Sequence, residues 1–243
     1  MMDAGFVGLY VAGVVAAYLL GAVPFGLLIG LARGIDIRQH GSKNIGANNV
    51  ARTVGRPWGV LTFALDAGKG AAPILIGGWW LGVLGERAPD PTRAWMWMSF
   101  GAAAFLGHLF PVFLKFKGGK GVATGFGALL AVYPIVTFPA LLAIGSWAIC
   151  VKITRYVGLS SSVASAVLAM LTILWPAIMH AWSSATREAA DGVSWATQLP
   201  FVVTTTLLAV LVIYRHRGNF KRMLEGTEPR VGANRTANRA GSN

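Results

Sequence analysis

Apolar residues in this chain gather into long unbroken runs, not the every-third-or-fourth spacing of a helix with one wet face. The runs cover residues 6–32, 58–84, 94–114, 122–150, 160–182 and 196–214. They approach or exceed the roughly 20 residues a helix needs to cross a bilayer. None alternates apolar and polar positions as a membrane β-strand does, and lipid cannot satisfy unpaired backbone groups, so the runs predict helices. The expected fold is an all-α integral membrane protein. It forms a single polytopic domain over residues 1–228, followed by a tail, 229–243, whose Asn-, Gly- and Arg-rich composition predicts disorder.

The connections between the runs divide by charge. Arg33, Arg38, Lys43, Arg52 and Arg56 lie within 33–57, and Lys115, Lys117 and Lys120 within 115–121. Lys152 and Arg155 follow the fourth run, and Arg215, Arg217, Lys221 and Arg222 the last. By contrast, Glu86, Arg87, Asp90 and Arg93, and then Arg187, Glu188 and Asp191, mix the two signs. Cations favour the cytoplasmic side of a membrane, which puts the first four connections inside. Residues 1–5 carry no positive charge, and the run 6–32 is too long for the apolar part of a signal peptide. An uncleaved first span with its N-terminus outside is expected.

Two inside connections then flank residues 122–150, so that run must cross an even number of times. Pro134 and Pro139 interrupt its middle, as proline does in a helix interior. The prediction is two short helices, about 122–133 and 138–150. The total becomes seven transmembrane helices, N-terminus outside and C-terminus cytoplasmic. Trp79, Trp80, Trp95, Trp97, Trp182 and Trp195 fall near the outer boundary, as an aromatic belt would.

Composition narrows the class further. Of 243 residues 55% are hydrophobic and 12% charged, and the mean hydropathy is +0.59, outside the range of soluble domains. A net charge of +12 would suit nucleic acid, but the cations sit where orientation signals belong, so no nucleic-acid partner is expected. The single Cys150 excludes an internal disulfide and offers no ligand set. Neither metal nor cofactor is expected.

Three polar stretches, all on the predicted inner side, carry the candidate chemistry. His40 to Arg56 reads HGSKNIGANNVARTVGR. Its Ser42, Asn44, Asn48 and Asn49 supply hydrogen bonds, Lys43, Arg52 and Arg56 charge, and its glycines close backbone approach; a topogenic loop needs only the charge. The second, KFKGGKGVATGFG over 115–127, places Gly118, Gly119 and Gly121 between Lys117 and Lys120, just before a helix. Glycine-rich backbone and a helix N-terminus together suit an anion, most naturally phosphate, and Thr124 belongs to the same stretch. The Walker A spacing fails, with Val122 where a metal-binding hydroxyl would stand. The third, YRHRGNFKRMLEGTE over 214–228, brings His216 and Asn219 within one turn.

Within the second run Asp66 and Lys69 stand three apart, an ion pair expected to support the site. Tyr156, Ser160 and Ser161 line an inner boundary, the serines as helix caps. His108 and His180 read as packing or interfacial residues, and Arg215 and Arg217 by themselves as stop-transfer charges. The sequence lacks G-x-S-x-G, H-E-x-x-H and G-x-G-x-x-G motifs. Five positions beyond the four histidines stand Ile45, Phe113, Ala185 and Lys221, so the His–Asp motif of soluble-type lipid acyltransferases is absent. A transporter for an anionic metabolite would place cations near mid-membrane and show an internal repeat; no repeat is visible. A structural scaffold would leave the Gly, Asn and Lys density unexplained.

G-S-K-N-I-G-A-N-N at 41–49, D-A-G-K-G at 66–70, K-G-G-K-G-V-A-T at 117–124 and H-R-G-N-F-K-R-M-L-E-G-T-E at 216–228 resemble the bacterial acyl-phosphate-dependent glycerol-3-phosphate acyltransferases, the PlsY type. The resemblance extends to about Glu228 and departs at Asn48, usually Thr, and Gly158, usually Ser. It implies a seven-helix protein of the bacterial inner membrane with its site facing the cytoplasm. That protein moves a fatty acyl group from acyl phosphate to the sn-1 hydroxyl of glycerol 3-phosphate, giving lysophosphatidic acid and phosphate. Carried over by position, the essential residues are Ser42, Arg52, His216 and Asn219. Gly118, Gly119, Lys120 and Gly121, with Lys117 beside them, bind glycerol phosphate, and Glu225 is structural. Phosphate is already a good leaving group, so clamping both phosphates is expected to do most of the catalysis. His216 or a substrate phosphate oxygen would take the hydroxyl proton, and an acyl-Ser42 is the covalent alternative.

Overall fold

The computed structural model describes the backbone of residues 3–186 and 194–231 and, within these, all side chains but those of 182–186. Arg187, Glu188 and Asp191, the Trp182 indole and tail residues 232–243 lie outside the described residues. Helices run α1 (Ala4–Ala22), α2 (Phe25–Ala32), α3 (Ala47–Thr53), α4 (Arg56–Trp80) and α5 (Pro91–Leu109). They continue α6 (Val122–Leu130), α7 (Thr137–Thr154), α8 (Val157–Thr186), α9 (Trp195–Arg215) and α10 (Arg217–Leu224), and no strand occurs among the described residues. Among the described residues, six stretches are long and apolar enough to cross a membrane: Ala4–Ala32, Arg56–Trp80, Pro91–Leu114, Thr137–Thr154, Val157–Ala181 and Trp195–Arg215.

The expected division of residues 122–150 is present. α6 and α7 are separate helices, parted by a turn containing Pro134. α6 has nine residues and rises only about 13 Å, well short of the ~30 Å apolar core of a bilayer. The turn after it carries the chain onward, because Gly85 N–H donates to the Tyr133 carbonyl at 3.2 Å. The first run differs from expectation: it breaks between α1 and α2, where Pro24 precedes the new helix and a proline-restricted Val23 leaves the helical region.

Side-chain pairs order the bundle. Phe6 stacks on Trp80 at 4.9 Å, and Gln198 reaches the Arg87 carbonyl at 3.4 Å. The start of α1, the α4–α5 turn and the start of α9 therefore share one end, together with the α6–α7 turn. Lys69 reaches the Val23 carbonyl at 2.7 Å, and Arg215 the glycine loop after α5. All three polar stretches accordingly gather at the opposite end. Backbones touch along the way. A Cβ on Gly70 would lie 2.1 Å from the Thr124 carbonyl, and one on Gly127 2.0 Å from that of Ala67, the small-residue contact typical of membrane helices.

Trp97 departs from its expected place in the aromatic belt. It is fully buried, donates its indole N–H to the Ile74 carbonyl at 2.7 Å and meets Phe201 edge-on. Trp79, Trp95 and Trp195 are exposed. So are Leu9, Val60 and Ile153 along the helix faces, an apolar exterior that only lipid suits.

Candidate active site

Each polar stretch is folded by a buried side chain of its own. In the first, that residue is Asn49, 2% exposed. Its Nδ2 donates to the carbonyls of Ile37 (2.9 Å), His40 (3.2 Å) and Asn44 (2.9 Å), and its Oδ1 accepts from Ser42 N–H at 2.9 Å. One carboxamide thus uses both its nitrogen and its oxygen to wrap residues 37–49 around itself. Asn44 accepts from Gly46 N–H at 2.9 Å, closing a local turn ahead of α3. Ser42, Lys43 and Asn48 stand exposed around this hub.

The glycine-rich stretch is held from both sides. Gly119 N–H donates to the His108 carbonyl at 3.1 Å. Arg215 donates to the carbonyls of Gly118 (2.9 Å) and Gly119 (2.7 Å). Gly121 caps α6 with φ +81°, a conformation that favours glycine. A Cβ there would also sit 2.4 Å from the Phe105 ring. Thr124 is fully buried and its hydroxyl has no hydrogen-bond partner among the described residues. Lys117 is exposed.

The third stretch meets the second through Lys120, which donates to Asn219 Oδ1. Asn219 Nδ2 in turn donates to Glu228 Oε1 at 2.6 Å, and Arg222 Nε donates to Glu228 Oε2 at 2.7 Å. Because Glu228 is the acceptor, the amide orientation of Asn219 is fixed and its oxygen must face Lys120. Arg52 joins from the first stretch, its guanidinium 3.4 Å from the Pro229 carbonyl. Glu225, expected to be the supporting acid, is half-exposed and pairs with Lys221 across the surface at 3.8 Å. The turn at Gly226, with φ +70°, ends the helix and brings Glu228 inward instead.

His216 is 3% exposed, and its Nδ1 lies 2.8 Å from the Val212 carbonyl. A carbonyl only accepts, so Nδ1 carries the proton and Nε2 keeps its lone pair. Burial first, then the nearby Lys120 ammonium, hold the imidazole down at about 4. Burial likewise brings Lys120 down to about 8, with Glu228 pulling upward and Arg222, Arg52 and Arg215 adding to the fall. Burial also lowers Arg52 from its ordinary value, against the pull of Glu228. Charges this close, partly removed from water, are a common mark of a site that binds an opposite charge.

Two openings are built partly from these segments. Asn44, Lys120, Arg215, Arg217 and Gly218 line a cleft of about 270 Å³ that draws on all three stretches. An apolar cavity of about 360 Å³ lies between the helices, lined by Phe105, Val122, Phe126, Trp147, Leu168 and Val212 among others. Val122 of the cavity stands two residues after Lys120 of the cleft, and Val212 three before Arg215, so the two openings draw on neighbouring residues of the same two segments.

Below the glycine loop, Asp66 and Lys69 form the expected pair at 2.7 Å, both almost fully buried. Lys69 also ties the α1–α2 break through Val23. Among the described residues, no group of three or more His, Cys, Asp or Glu could hold a metal ion. Sequence reasoning passed over Asn49 as the hub, Glu228, the carbonyl-binding role of Arg215 and the place of His108. For Asn49 and Glu228 the signal was only membership in a polar stretch. For Arg215 and His108 no local signal existed.

The family profile described as Glycerol-3-phosphate acyltransferase matches residues 11–226. The glycerol-3-phosphate acyltransferase of Acholeplasma laidlawii is 39% identical over 226 residues, covering 93% of this chain and 94% of its own. That of Dinoroseobacter shibae is 42% identical over 220 residues, covering 90% and 91%. Among solved structures, the glycerol 3-phosphate form of PlsY (YgiH), an integral membrane glycerol 3-phosphate acyltransferase, aligns with a TM-score of 0.74. Its identity is 34%, over 96% of this chain and 99% of that one. The lysophosphatidic acid form of PlsY gives 0.72 at 35% identity, over 92% and 95%. With its helical bundle, its three gathered stretches and a match along nearly its whole length, the chain belongs to the glycerol-3-phosphate acyltransferase family.

Proposed function

We propose that the protein transfers a fatty acyl group from acyl phosphate to the sn-1 hydroxyl of glycerol 3-phosphate, releasing lysophosphatidic acid and inorganic phosphate. The observation that carries this reading is a cationic cleft and an apolar cavity built from neighbouring residues of the same two segments, Lys120 beside Val122 and Arg215 beside Val212. One suits phosphate, the other a hydrocarbon chain. Phosphoryl oxygens bind among Asn44, Lys120, Arg215 and Arg217, with Ser42, Lys43, Asn48, Arg52 and Lys117 around the rim and the α6 N-terminus behind. The hydroxyl oxygen attacks the acyl carbon, the carbon–oxygen bond to phosphate breaks, and phosphate departs with the electron pair. A base at about 4 is too weak to carry a proton off at neutral pH. His216 Nε2 therefore accepts the hydroxyl's hydrogen bond and aims it, while phosphate oxygen takes the proton. Asn219 presents Lys120 to the transferring group, where fixed charge is worth most.

The same reading orients the chain in the bacterial inner membrane with seven passes, the N-terminus outside and the site facing the cytoplasm. The cations of all three stretches favour that side, and the Gly85–Tyr133 bond supports passage of α6 and its turn. Residues 1–228 form the acyltransferase unit, whose family match ends at 226. Residues 229–231 are the root of the tail and lie against it through Arg155 and Tyr156. Purified protein in bilayers, given acyl phosphate and glycerol 3-phosphate, should release phosphate and form lysophosphatidic acid in equal amounts. Silence in that assay, with passage of a phosphorylated metabolite across the vesicle wall, would replace the enzyme with a transporter.

A further inference from the structure

We infer that His108, which the acyl-transfer chemistry above does not use, is a positioning residue for the glycerol-phosphate side of the site. It sits at the end of α5, 4% exposed, between two features that a ligand needs held in register. On one face its Nδ1 lies 3.7 Å from Asp66 Oδ1 and has no hydrogen-bond partner among the described residues. On the other, the glycine loop rests on it. Its carbonyl accepts Gly119 N–H. A Cβ on Gly119 would lie 2.1 Å from its Nε2, and one on Gly118 2.1 Å from its carbonyl oxygen.

The loop therefore takes its height from this ring as well as from this backbone. Arg215 fixes it from above through the Gly118 and Gly119 carbonyls, and what is left to face the cleft is the Lys120 side chain. Asp66 cannot shift to meet the imidazole, because Lys69 holds it at 2.7 Å while also bonding Val23 at the α1–α2 break. A continuous series thus runs from that break through Lys69, Asp66, His108 and Gly119 to the residue that bears the cleft's ammonium. A gap of 3.7 Å is not a hydrogen bond.

This inference rests on the proposed acyl transfer, and the test separates the two. His108→Leu keeps apolar bulk and removes the ring nitrogens; His108→Asn returns a polar atom to the Nδ1 position. With acyl phosphate saturating, His108→Leu should raise the KM for glycerol 3-phosphate about 10- to 100-fold, as small misplacements of a positioned group do. The KM for acyl phosphate and the kcat should stay within about threefold, and His108→Asn should recover most of the loss. Protection against thermal unfolding by glycerol 3-phosphate, read without turnover, should vanish in His108→Leu and return in His108→Asn. Adding Asp66→Asn to His108→Leu should raise the KM for glycerol 3-phosphate little further, since coupled sites are not additive, whereas its cost in stability, from leaving Lys69 unpaired, is separate.

Folded His108→Leu with an unchanged KM and full ligand protection overturns the inference, as does a loss shared equally by both substrates. Full additivity with Asp66→Asn does so too. If His108→Leu does not fold, His108→Asn decides: an intact KM supports positioning through Nδ1, whereas loss of glycerol 3-phosphate protection in a folded protein sinks it. A wild-type protein inert toward both substrates would instead remove the acyl-transfer reading itself.

Discussion

The two ends of this bundle are stabilised in different ways. At the end bearing Trp79 and Trp195, polar side chains serve helix starts. Asp3 accepts from Phe6 N–H, Asp90 from Arg93 N–H, and Ser194 and Thr197 cap α9 reciprocally. These bonds satisfy orphan backbone groups and touch nothing else. At the other end, side chains that are wholly or partly buried hold the loops around the cleft. Asn49 folds one loop, Arg215 holds another, and Asn219 links Lys120 to Glu228. Arg215 both bonds the fold and lines the cleft, Asn219 reaches the cleft through Lys120, and Asn49 shapes the loop that carries Asn44 to it. A change at the first end should therefore cost stability alone, and one at the second should cost stability and chemistry together.

The largest effect is expected at Lys69. Lys69→Met leaves Asp66 buried and uncompensated, which should cost about 3–5 kcal/mol of stability. Adding Asp66→Leu should restore most of it without restoring activity. Thermal unfolding in detergent, followed by assay, checks both. Next comes Lys120→Ala, which removes a charge aimed at the transferring group. Its kcat/KM for glycerol 3-phosphate should fall about 10²- to 10³-fold, as loss of a preorganised donor does, and the melting temperature should fall with it, because Asn219 loses its Lys120 partner.

A subtler cut uses pH. Lys120, brought down to about 8 by burial, is cationic below that value and neutral above it. Efficiency toward glycerol 3-phosphate should therefore fall as pH rises through about 8, and Lys120→Arg should carry that limb beyond the measurable range. The smallest effect belongs to the far end. Ser194→Ala should cost about 1 kcal/mol of stability and leave both KM values untouched; a shifted KM would show that the two ends are coupled after all.

Much of the architecture was legible because lipid leaves few choices. Charge segregation located the connections, and Pro134 with Pro139 revealed the parting of α6 from α7. Pro24 carried the same kind of signal for the α1–α2 break, hidden within an otherwise uninterrupted apolar run. Trp97 misled, since an indole near the outer boundary has the same one-letter signature whether it faces lipid or the Ile74 carbonyl. Candidate site residues were legible as stretches but not as individuals. Periodicity puts Glu225 four residues from Lys221 on one helical face, where they pair. The turn at Gly226 that delivers Glu228 instead is a tertiary event. Arg215 looked topogenic because its partners are backbone carbonyls, which no sequence pattern displays. His108 and Asp66 are 42 positions apart in sequence, beyond any local spacing rule.

Asn219 offers an amide nitrogen to a carboxylate and an amide oxygen to an ammonium, so its two ends cannot be exchanged. Asparagine side chains slowly hydrolyse to aspartate as proteins age. At this one position the product would set two carboxylates against each other. Burial inside a short helix, 7% exposed, shields the amide from that reaction, so the working lifetime of the enzyme is tied to how tightly residues 217–228 stay closed.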